Sequence, residues 1–237
     1  MRKKVFDNCI VFYDLHKNGN IANRFWVKRV KGVKYPLYHR LDGPAIENYF
    51  EDGIPKKLEW WVDAVKHRID GPAEMSFYRS GNVFKCVWYC NGVIHRDGGP
   101  AELVYYDNGV TLASYSYYKN GLKHRDDGGP AEVGFYEDGK VSYMAWFIDG
   151  KAHRIGGPAI VNYSRSGEMV ILKYMQNGEL FREDGPAEIT AGYDGYYYEW
   201  YMIPGVRHRP DGPCIEVRDF KGNLIKYGDD EFSVRKC

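Results

Sequence analysis

Residues 95–109 read HRDGGPAELVYYDNG, and the chain writes nearly the same phrase as HRIDGPAEMSFYRSG at 67–81 and as HRDDGGPAEVGFYEDG at 124–139. Self-similarity at a fixed period is the mark of a repeat architecture. His-Arg pairs begin at His39, His67, His95, His124, His153 and His208, and Phe181-Arg182 fills the same slot once. Successive copies therefore start 28, 28, 29, 29, 28 and 27 residues apart. Arg40, Arg68, Arg96, Arg125, Arg154, Arg182 and Arg209 each precede a Gly-Pro.

Each copy divides into two strand-like halves. The first begins at Gly-Pro and runs to another glycine ten residues on, as from Gly71 to Gly81 and from Gly99 to Gly109. Between these glycines the chain alternates. Ala73, Met75 and Phe77 share one parity, Ala101, Leu103 and Tyr105 repeat it, and Glu74, Glu102, Glu132 and Glu188 take the other. A period of two with one apolar face predicts a half-buried β-strand. The second half leads to Asn-Gly or Asp-Gly, with an aromatic residue four positions before that glycine: Trp88, Tyr117, Trp146 and Tyr174. It is predicted as one further strand, packed by a column of rings.

The punctuation has physical causes. Glycine takes positive φ at no steric cost, so Glu51-Asp52-Gly53 and Asp107-Asn108-Gly109 predict short hairpin turns. Proline lacks an N–H and belongs at the entrance of a strand rather than inside it. The expected fold is therefore all-β: an elongated repeat array of antiparallel hairpins in a single twisted, solenoid-like sheet. Pairing in sequence order would give a length of roughly 65–70 Å at the usual spacing between strands. Repeat arrays need atypical ends, so residues 1–38 are expected to be a degenerate N-terminal cap repeat. Residues 39–222 would be the array, and 223–237 a C-terminal cap and tail.

Size and charge restrict the function. The 237 residues carry 33 Lys plus Arg against 32 Asp plus Glu, so no net field draws in nucleic acid. No run of 18 uninterrupted apolar residues occurs, so no transmembrane helix is expected. The five cysteines show neither CxxC spacing nor a secreted framework, which favours reduced thiols in a cytosol-like compartment.

The segments WYCNGVIHR (88–96), YYKNGLKHR (117–125) and WFIDGKAHR (146–154) carry an aromatic, Gly, x, x, His string that resembles the MORN repeat. Here arginine follows the histidine where that motif has glycine, and the stretch from His95 to Gly109 is about four residues longer than the motif. The resemblance implies stacked hairpins that serve as a scaffold, in self-association or in partner binding, with lipid-headgroup contact in some members. Long arrays with HRxDGPA units also resemble those encoded by large DNA viruses.

The His and Arg rows could be read as catalytic or phosphate-binding. Six of the seven histidines are repeat positions, however, and an active site is normally one constellation. The rows are therefore expected to be a structural ladder, with Arg96 paired to a repeat carboxylate such as Glu102 or one in the adjoining copy, since an arginine fork suits a carboxylate. His16, outside the ladder, is expected to be a lone surface histidine. No cluster carries zinc or calcium-loop spacing, so no metal and no cofactor is expected. The stretch GYYYEWY (195–201) sets Tyr196, Tyr197, Tyr198, Trp200 and Tyr201 close together. These rings would be either a doubly covered strand or an interaction patch, because Tyr and Trp are enriched in contacts. The expected function is a non-enzymatic cytoplasmic scaffold for protein partners, self-associating as a homodimer. The alternative is a lipid-headgroup or phosphate-binding module that uses the Arg row.

Overall fold

A computed structural model describes residues 1–6, 9–35, 37–192, 195–203, 206–207, 212–228 and 235–236. Every regular element among them is a β-strand, and the strands described below pair antiparallel. The chain divides into two compact units, Met1–Leu122 and Lys123–Cys237, each built from the same hairpin copy.

In the first unit a copy runs from strand Glu74–Phe77 through a tight turn to Val83–Val87, which pairs onward with Glu102–Tyr105. The turn is a three-residue loop: Tyr78 N–H donates to Asn82 O, and Gly81, at φ +91°, donates back to Tyr78 O. The second unit repeats the plan with Glu132–Phe135, Val141–Ala145, Ile160–Tyr163 and Met169–Lys173. Strand Leu224–Gly228 pairs with Ile215–Asp219 and, onward, with Arg235–Lys236.

The second half of each copy is not one strand. The main-sheet strand stops at Val87. The chain bends at Trp88, and Tyr89–Cys90 pairs with Val93–Ile94 in a separate two-stranded hairpin. Two bonds hold the bend: Trp88 N–H donates to Ala101 O (2.8 Å), and Trp88 O accepts from His95 N–H (3.2 Å). The same break occurs at Trp60, Trp146 and Tyr174. A straight strand would carry each aromatic past its arginine; the bend turns the ring onto it. The small hairpin closes with a turn in which Asn91 and Gly92 both have positive φ, +50° and +82°, the two-residue type I′ geometry that Asn-Gly favours.

Register puts one row of side chains straight across each unit. In the first unit the row is Tyr13, Arg24, Glu47, Leu58, Met75, Cys86, Leu103 and Tyr115. In the second it is Val133, Met144, Val161, Leu172, Ile189, Glu199, Glu216 and Tyr227. The row is apolar through the regular copies and changes to charged and phenolic groups in the atypical ones. The core is thin: Ala45, Ala73, Ala101, Ala131, Ala159 and Ala187 have no exposed surface, while most row residues are half-buried. Only a methyl fits where each Gly-Pro-Ala enters the sheet.

Candidate functional site

The arginine row is a series of sandwiches. The Arg68 guanidinium lies over the Trp60 ring at 4.3 Å, Arg96 over Trp88 at 4.0 Å, Arg154 over Trp146 at 3.8 Å and Arg182 over Tyr174 at 4.1 Å. The other face of each guanidinium meets the glycine of Gly-Pro. A Cβ on Gly71 would sit 3.0 Å from Arg68 Cζ, and one on Gly43 would sit 2.7 Å from Arg40 Cζ. The in-plane donors are used as well. Arg68 Nε donates to Asp70 (2.8 Å), Arg182 Nε to Asp184 (2.9 Å), and Arg96 and Arg154 donate to the carbonyls of Pro100 (3.1 Å) and Pro158 (3.2 Å). One sandwich therefore explains the spacing of aromatic, Arg, Asp and Gly-Pro.

This corrects the carboxylate expected for Arg96. Glu102 is paired with Lys85 at 2.7 Å, on the opposite face of the sheet from the arginine stack. The other repeat glutamates do the same: Glu132 pairs with Lys123, and Glu188 with Lys173 at 3.0 Å. Glu59 and Glu74 lie directly opposite each other and are bridged by Lys57 and Lys66. Burial pushes the Glu59 carboxyl up, but the two lysines outweigh it and hold it below the usual carboxylate range.

The histidine row joins copies. Asp63 N–H donates to His39 Nδ1, Asn91 to His67, Asn120 to His95, Asp149 to His124 and Asn177 to His153, at 3.1–3.3 Å. Beside each bond the next N–H of the same turn donates to the carbonyl of the residue before that histidine, as Gly92 does to Lys66 O (2.9 Å). Phe181 keeps the main-chain bond to Tyr174 O (3.0 Å) but has no ring acceptor. His208 and Arg209 lie outside the described residues. His16 is not a lone surface group: its Nε2 bonds the Tyr49 carbonyl at 3.0 Å.

With the rows resolved into sandwiches and joints, their chemistry is that of contacts within and between copies. No protein-family model matches the chain, and no curated protein is significantly similar to it.

Two constellations outside the repeat pattern were missed from sequence. Glu47, with a side chain only 5% exposed, accepts from Arg24 (3.0 Å), Arg40 (2.8 Å) and Tyr49 OH (2.6 Å). Burial and the Glu47 hydrogen bond push the Tyr49 phenol up to about 12. In the second unit Arg218 binds both Glu199 (3.0 Å) and the buried Glu216, with Tyr201 OH 3.3 Å from Glu216. The available signal was parity: Glu47, Glu199 and Glu216 occupy positions that are apolar in the regular copies.

The aromatic stretch divides between two faces. Tyr197 and Tyr201 lie on the face of the apolar row. Tyr196, Tyr198 and Trp200 lie on the other, where the Tyr198 and Trp200 rings stack at 6.0 Å. Tyr197, 36% exposed, lines a groove of about 480 Å³ with Tyr163, Met169, Leu172 and Ile189. A groove of about 650 Å³ runs between the 67–72 and 95–97 loops of the first unit, with Ile69, 93% exposed, at its rim.

The outward-facing members of the sandwiches set an acid response. The Arg68 hydrogen bond to Asp70 holds that carboxyl below the ordinary range, as Arg40 does for Asp42, Arg125 for Asp127 and Arg182 for Asp184. A carboxyl depressed in the native state stabilises it above the unfolded value of about 3.9, and that contribution is lost as pH falls through the depressed value. Melting temperature is therefore expected to fall modestly below about pH 4, since exposed pairs are screened by solvent. Asp70→Asn combined with Asp184→Asn should flatten that limb; an unchanged limb would contradict the assignment.

Proposed function

We propose that the chain is a non-enzymatic, MORN-like scaffold that presents its sheet faces to protein partners, including a second copy of itself. The observation that carries this reading is how the repeated polar groups are used. The imidazoles are bonded to the next copy and the guanidiniums are stacked and hydrogen-bonded within their own, while the half-buried apolar row and the Tyr197 groove remain on the surface. Periodic groups used for cohesion, beside an apolar face with exposed aromatic and aliphatic side chains, suit partner binding better than turnover.

The alternative, an anion-binding Arg row, is opposed by the same geometry. Among the described sandwiches the guanidinium is covered on both faces, and at Arg40 and Arg68 the group that points outward is an aspartate: Asp42 and Asp70 are 85% and 80% exposed. A phosphate approaching those copies meets a carboxylate first.

Affinity capture tests the reading, comparing the native chain with a Tyr197→Ser, Met169→Ser variant shown to melt at the same temperature. A discrete protein, or a second copy, should be retained by the native chain and lost by the variant. Equal retention by both, or salt-sensitive sedimentation of the native chain with anionic vesicles, would overturn it in favour of a different face or of the Arg row.

A further inference from the structure

The five His joints share one geometry but have two chemistries. A backbone N–H can only donate, so where it meets Nδ1 that nitrogen must offer its lone pair and the ring proton must sit on Nε2. His95 and His124 place Nε2 against Asp97 (3.2 Å) and Asp126 (3.0 Å), which suits that tautomer. The residue that supplies the N–H differs. At His67, His95 and His153 it is an asparagine: Asn91, Asn120 and Asn177. At His39 and His124 it is an aspartate whose own carboxylate also lies close to Nδ1, Asp63 at 2.9 Å and Asp149 at 3.0 Å.

We infer that these joints form a proton-sensitive coupling between copies, released by acid where the turn carries asparagine and retained where it carries aspartate. Protonation of Nδ1 turns an acceptor into a donor facing another donor. At the Asn joints the amide bond to the preceding copy is lost, and no carboxylate of the turn takes its place. At the Asp joints the new Nδ1–H donates to Asp63 or Asp149, a charge-assisted bond that replaces the lost one.

Other charged groups surround the joints. His39 faces Lys28 through their shared Asp63. His67 shares its grooves with Arg40, Asp42, Arg68, Asp70, Arg96 and Asp97. His95 faces Asp97 and His124 faces Asp126, in each case through Nε2 rather than Nδ1. His153 is followed by Arg154, whose guanidinium is turned onto Trp146. The sign follows from the acceptor: the Asn joints are intact while the imidazole is neutral and open when it takes a proton.

The test is amide exchange on the isotopically labelled full chain, titrated from about pH 7.5 to about 5.5 and corrected for intrinsic exchange rates. Protection at the Gly92, Gly121 and Gly178 amides, which bond the preceding copy beside the Asn joints, should fall about five- to tenfold, the worth of one hydrogen bond, while Ala64 and Gly150, beside the Asp joints, hold. The triple variant Asn91→Asp, Asn120→Asp, Asn177→Asp should abolish the loss; it copies a turn the chain already contains. Equal responses at the Asn and Asp joints, or no response at any, would overturn the inference, and the native chain alone decides this if the variant does not fold. Neither outcome depends on whether the chain binds a partner.

Discussion

Glu47→Ala is expected to destabilise the chain by about 3 kcal/mol, read as a shift in the denaturant midpoint at unchanged slope. The carboxylate holds two guanidiniums and a phenol at 2.6–3.0 Å. Truncation leaves Arg24 and Arg40 facing each other across a void. Removing one partner from a buried charge network typically costs 3–5 kcal/mol, because the remaining charges stay desolvated. The lower end applies here, since the Arg24 and Arg40 side chains keep 31% and 20% of their surface in solvent. Arg40 also retains its stack on Trp26 at 4.0 Å and its bond to Asp42 at 2.8 Å. Glu47→Gln, which keeps shape and acceptor but not charge, should recover part of the loss. A cost below about 1 kcal/mol would mean that the network is solvated and contributes little more than a surface pair.

Gly71→Ala should cost about 2 kcal/mol, and the cost should vanish when Arg68 is already alanine. Gly71 lies outside the left-handed region, so alanine brings no backbone strain there. Its Cβ would be 3.0 Å from Arg68 Cζ and must push the guanidinium off the Trp60 ring. Arg68→Ala alone should also cost about 2 kcal/mol through the lost cation–π stack and side-chain hydrogen bonds. The double variant should therefore be no worse than Arg68→Ala. Full additivity would show that the glycine is required for something other than the arginine.

Both predictions bear on what was legible in the residues alone. Alternation along Ala73, Met75 and Phe77 determines a half-buried strand, and Asn-Gly and Gly-Pro at fixed offsets determine where strands turn and begin. The period of 28 or so residues follows from the spacing of His-Arg pairs. These are local properties, set by side-chain parity and by the φ that glycine and proline allow, so the all-β hairpin architecture follows without any long-range contact.

What a side chain touches is not local. The preference of arginine for carboxylates pointed Arg96 at Glu102, six residues on. Pleating, however, puts Glu102 on the opposite face, where Lys85 reaches it across the sheet, and the bend at Trp88 offers Arg96 an aromatic ring instead. The joints between His67 and Asn91, and between His95 and Asn120, span a whole copy, and Glu47 meets Arg24 only because strand register sets them side by side. The sequence by itself therefore determined the strands, the turns and the repeat. The tertiary structure decided which polar group meets which, because partners a copy apart are chosen by register, face and bend rather than by affinity between residue types.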